Sequence, residues 1–146
     1  MKKTVLLGVI LPLILTACSI VLAATRVQSS AWNDACTLSK YSCEDIDPPR
    51  VEYDDVALVE GLYGYYMIGT RVIFVSVGLE PDNEYSVLVH EMVHYLQYQT
   101  AKRNHTPMPG KCEAEREAFE VSDQILVRLG LPELARNGNV LDYGCK

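Results

Sequence analysis

His90, Glu91 and His94 stand in the pattern H-E-x-x-H, within His90-Glu91-Met92-Val93-His94. On an α-helix, residues four apart share a face, so both imidazoles reach one metal ion from the same side. The Glu beside the first His is then placed to act as general base on a water that the metal activates. The chemistry that suits this spacing is metal-assisted hydrolysis. It requires a helix to carry the three residues, a third ligand from elsewhere, and further elements to hold both in place.

The carrier helix is marked at both ends. Glu80-Pro81-Asp82-Asn83-Glu84 reads as its start, with Asp82 as the cap and Glu84 in the first turn, where negative charge is favoured. The run from Tyr85 to Ala101 contains no Gly or Pro. Lys102 and Arg103 fall in the last turn, and Asn104 and Pro107 mark the exit. Wound at about 100° per residue, Leu88, Val89, Met92, Val93 and Leu96 cover one side. Val87, His90, His94 and Ala101 cover much of the other. A helix apolar nearly all round is a buried helix, and imidazoles inside it must be hydrogen-bonded or metal-bound.

A catalytic metal usually takes three protein ligands and keeps one position open. No third His follows at the metzincin spacing, because Gln97 stands at the Gly position and Thr100 at the His position. A second helix, from about Cys112 to Leu129 and closed by Gly130 and Pro132, offers Glu113, Glu115, Glu117 and Glu120. Winding places Ala114, Ala118, Phe119, Val121, Ile125 and Leu126 on one apolar arc. Glu115 is the acid inside that arc, so it faces the core and needs a partner. A register shift of one residue would move it to the edge, which leaves Glu113 and Glu117 as alternative ligands.

The two helices together resemble the gluzincin type of zinc metallopeptidase, in which a Glu on a downstream helix completes the site. The resemblance rests on His90-Glu91-Met92-Val93-His94 followed by Glu115-Arg116-Glu117-Ala118-Phe119, with a small residue three positions after the ligand Glu. It spans roughly Gly61 to Leu129. It implies a zincin-like α+β fold: a small antiparallel sheet or hairpin packed on the H-E-x-x-H helix and on the Glu-bearing helix. It also implies one Zn²⁺ per chain held by His90, His94 and Glu115, with Glu91 catalytic and a peptide or protein as substrate. The thermolysin-like pattern has Asp four positions after the ligand Glu, where this chain has Phe119, so the group orienting a His ligand is unassigned.

Before the carrier helix the chain is β-like. Leu62 to Met67 and Arg71 to Val77 read as a hairpin around Ile68-Gly69-Thr70, and Arg50 to Tyr53 opens a further strand. A strand in front of such a helix suits binding of an extended peptide by strand addition. Tyr63, Tyr65 and Tyr66 read as sheet packing. Residues 31–45 form a short helix or loop held by Cys36 and Cys43. His105, Tyr95 and Tyr98 are candidate donors to a developing oxyanion, with His105 more simply an exposed loop residue.

The 146 residues suit one domain, taken as 25–146. Residues 1–24 read as a targeting segment: Lys2 and Lys3, then an apolar run from Val5. Leu15-Thr16-Ala17-Cys18 fits a lipobox, with Cys18 as the lipidation candidate. Val21-Leu22-Ala23 fits ordinary cleavage, and about 20 apolar residues also suffice for an uncleaved anchor. All three export the domain, to the periplasm, the outer membrane or the medium, and two of them attach it to a membrane. Of five Cys, the four beyond Cys18 suit two disulfides, with Cys36–Cys43 and Cys112–Cys145 the expected pairing. Removing residues 1–18 takes away two Lys and no acid, so 11 basic residues face 19 acidic ones, a formal charge of −8. Nothing in that balance suits nucleic acid.

The expected activity is zinc-dependent hydrolysis of peptide or amide bonds in the cell envelope or outside the cell. The rival expectation is a non-catalytic envelope lipoprotein, an interaction module whose zinc site is structural or vestigial.

Overall fold

The computed structural model of the protein describes residues 25–55 and 63–132. The expectations for the targeting segment, Cys18 and Cys145 lie outside those residues. Along the chain come a helix over 25–38 (α1), β1 (Arg50–Asp54), β2 (Gly64–Tyr66), β3 (Val72–Ser76), and the helices α2 (Pro81–Asn104) and α3 (Lys111–Arg128). The class is α+β, with three helices and a three-stranded mixed sheet among the described residues. None of the described helices is long and apolar enough to cross a membrane.

The hairpin forms where its turn chemistry puts it. Thr70 N–H donates to Met67 O at 3.1 Å, and Gly69 takes φ 85°, a conformation that costs glycine little. β2 and β3 then pair antiparallel, with Tyr65 opposite Phe74 and Tyr66 opposite Ile73. The third strand corrects the expectation of an antiparallel sheet. β1 pairs with β3 in parallel, Arg50 beside Val72 through Asp54 beside Ser76, and the order is β1-β3-β2. The hairpin fixes β3 opposite to β2, and β1 lies on the far side of β3. Roughly 17 residues separate β1 from β3, enough for the crossover that parallel pairing demands.

Period-2 alternation sets the faces of β3. Ile73 and Val75 are fully buried against α2, while Phe74 stacks on Tyr65 at 4.8 Å on the other face. Tyr66 meets the Tyr95 ring edge-on at 5.5 Å. Tyr63 instead remains 62% exposed, so the tyrosine cluster is packed only in part.

α2 is buried nearly all round, from Ser86 to Ala101, because the sheet covers one flank and α3 another. It starts two residues earlier than expected. Glu80 is the N-cap, without a side-chain cap, and Pro81 takes the first helical position, where its missing N–H leaves nothing unsatisfied. Asp82 is therefore inside the first turn, acting through its charge. At the other end His105 adopts φ 53°, and Thr106 N–H donates to Ala101 O at 3.0 Å, closing the helix in the manner usually given to glycine.

α1 meets α2 where Trp32 lies 6.0 Å from the Tyr95 ring and Asp34 accepts from Tyr85 Oη at 2.8 Å, and its Ala31 and Ala35 are fully buried in the core. The expected disulfide Cys36–Cys43 is formed and closes the loop that follows α1. Cys112, at the start of α3, is also disulfide-bonded.

Candidate metal centre

His90 and His94 sit one turn apart near the middle of α2, with side chains only 11% and 17% exposed. Their Nε2 atoms face each other at 3.1 Å. Glu115, in the first half of α3, brings Oε2 to 3.4 Å from His90 Nε2 and 3.5 Å from His94 Nε2. α3 is amphipathic, with Ala114 and Ala118 buried against α2, and the small alanines let the backbones approach until the carboxylate reaches the imidazoles. Of the alternative acids, Glu113 is exposed and Glu117 turns to Lys40 and Tyr41. His90, His94 and Glu115 are the group of metal-ligand type among the described residues.

Zinc ligands held tetrahedrally at about 2.0–2.1 Å stand about 3.3 Å from one another. The three edges here are 3.1, 3.4 and 3.5 Å. Glu115 Oε2 is also buried without a hydrogen-bond partner, and an orphaned carboxylate oxygen is costly unless a cation meets it. Donor types, spacing and burial all fit a metal ion.

The electrostatics are those of a cation site filled by protons. Burial disfavours a charged His94, but Glu115, the charge of Glu91 and Gln97 together outweigh it and raise its pKa to about 9. Burial likewise disfavours ionised Glu115, yet the two facing imidazoles hold it down at about 2.

Glu91 is buried, 7% exposed, on the flank of α2 that meets β2. A Cβ placed on Gly64 would lie 3.2 Å from Glu91 Cγ and 2.6 Å from Val87 Cγ1. Glycine at that position lets the edge strand lie directly against the helix beside the general-base candidate.

Three expected donors lie elsewhere. Tyr95 Oη donates to Asp47 O at 2.8 Å, and Tyr98 packs on Tyr66 at 6.0 Å by the hairpin turn. His105 caps α2 about 22 Å along the helix axis from His90.

Three groups near the site had no role assigned from sequence. Gln97 is buried at 1% exposure, and its Oε1 lies 2.9 Å from His94 Nδ1; its spacing of three from His94 on one face was the available signal. Phe119 packs its ring 4.5 Å from that of His90, and Asp123, one turn further along α3, is a second acid besides Glu115 whose carboxyl feels that imidazole. Burial pushes the Asp123 pKa up while His90 draws it down.

Comparison with known protein families, characterised proteins and solved structures finds no match to this chain.

Proposed function

We propose that this chain is an exported zinc-dependent hydrolase of peptide or amide bonds. The observation that carries the reading is the meeting of His90 Nε2, His94 Nε2 and Glu115 Oε2 at tetrahedral spacing, with the buried Glu91 alongside. Zinc held by these atoms would polarise a carbonyl and make water a stronger acid. His90 and His94 would hold it as neutral imidazoles, and Glu115 would supply the third bond and a negative charge. Glu91 takes a proton from the attacking water and delivers it to the leaving amine, a role that needs no other base nearby. A structural site has no use for a carboxylate in that position. β2 stands at one edge of the three-stranded order, beside Glu91, and an extended peptide pairing there would bring its backbone past the site.

A second reading is favoured by the exposed apolar hairpin tip, where Met67 is 43% and Ile68 69% exposed. It makes the protein an interaction module whose zinc is structural. Elemental analysis and hydrolysis of a mixed peptide pool separate the two. Wild type should hold about one zinc per chain, and His94→Ala and Glu115→Ala should lose it. Glu91→Gln should keep the zinc and lose about 10²-fold or more in rate. Zinc without hydrolysis in wild type supports the module; hydrolysis retained by Glu91→Gln sinks the mechanism.

A further inference from the structure

The hydrogen bonds of Gln97 leave its amide one orientation. Its Nε2 donates to Ala114 O at 3.0 Å and to Glu117 Oε2 at 3.2 Å, two groups that can only accept. Its Oε1 must therefore be the atom facing His94 Nδ1, and Oε1 can only accept. His94 Nδ1 is then the donor, and in the neutral imidazole the Nε2 lone pair is the one that faces His90 and Glu115. A metal-ligating imidazole needs this tautomer, and the acceptor on its far nitrogen fixes both tautomer and ring angle.

Glu117 is itself restrained. One carboxylate oxygen accepts from Lys40 Nζ and the other from Tyr41 Oη, both in the loop closed by Cys36–Cys43. The chain of contacts thus runs from that loop through Glu117 and Gln97 to His94, joining α1, α3 and α2. Gln97 stands where a metzincin has glycine, and Phe119 where a thermolysin-like chain has its orienting Asp. The outer support of this site is therefore built from a different residue on a different helix.

We propose that Gln97 is the positioning residue of the His94 ligand, locked in that role by Glu117. This rests on the metal-site reading above. The test uses the full-length protein and zinc alone, with affinity read by chelator competition and site geometry by the visible spectrum of the cobalt-substituted form. Gln97→Leu should bind zinc about 10- to 100-fold more weakly and alter the cobalt spectrum. Glu117→Ala, which leaves Gln97 one acceptor, should lose several-fold. Glu117→Gln, whose side-chain oxygen still accepts from Gln97 Nε2, should keep most of the affinity that Glu117→Ala loses, which a merely structural role would not predict.

Wild type binding one zinc while Gln97→Leu stays within twofold of it would overturn the proposal and leave the metal site standing. If Gln97→Leu does not fold, Glu117→Ala and Glu117→Gln decide: a loss in the first that the second avoids supports the role, and unchanged affinity in both overturns it. Wild type that binds no zinc removes the metal site itself, and this role with it.

Discussion

In the metal-free protein His94 holds its proton up to about pH 9, because Glu115 and Glu91 outweigh the burial that opposes the charge. Its folded pKa exceeds the ordinary 6.5, so the stability it contributes is complete below about 6.5 and is lost as pH rises through 9. Glu115 has the opposite sign: held near 2, below the ordinary 4.5, it contributes above about 4.5 and fails as pH falls through 2. The metal-free domain should therefore resist urea best, as far as this pair is concerned, between about pH 4.5 and 6.5. The denaturation midpoint should drop towards pH 9.5, and His94→Gln should flatten that drop. Zinc competes with the same proton, so its apparent affinity should rise about tenfold per unit from pH 6 to 8. An affinity independent of pH over that range would show that His94 is not a ligand.

Between elements, the contact of β2 with α2 is the tightest constraint near the site. Gly64→Ala would drive a Cβ to 2.6 Å from Val87 Cγ1 and 3.1 Å from Phe74 O, and neither a β-branched side chain nor a backbone carbonyl yields easily. The expected cost is about 1–3 kcal/mol, with hydrolysis falling further than stability because Glu91 rides on the same flank. Val87→Ala should relieve most of the stability loss in the double variant, and additive effects in thermal melts would refute the clash. Local signals read these elements well. The 3.6-residue period found both helices and set Glu115 apart from its neighbours, and Gly69 marked the hairpin. The parallel pairing of β1 left no local trace, since partner choice depends on where a remote strand comes to rest. Glu117 winds onto the polar side of α3, yet the loop that follows α1 lies over it and supplies Lys40 and Tyr41. No periodicity within α3 carries that information.

Across the whole molecule the cross-links and the site are connected. A disulfide closing a loop of about eight residues removes unfolded-state entropy equivalent to roughly 2–3 kcal/mol. Replacing Cys36 and Cys43 by Ser should lower stability by about that amount. It should also weaken zinc binding, because Lys40 and Tyr41 sit inside the loop and restrain Glu117. Loss of stability with zinc affinity intact would show that the loop acts on the fold alone. The sequence pointed to this pairing through its even cysteine number and short spacing, whereas the tie from the loop to His94 is a long-range contact that no spacing encodes. The helices that carry His90, His94 and Glu115 are joined by a short segment with Pro107 and Pro109, so they form a helical hairpin with a buried seam. The strand β1 instead lies at an edge of the sheet with no residue fully buried. A packed helical hairpin tends to open as one unit, and a partly exposed edge strand opens at lower cost. The amide protons around His90, His94 and Ala118 should accordingly exchange with solvent last, and those of β1 well before them. The pocket that would receive the ion can then stay closed while the edge strand β1 is open.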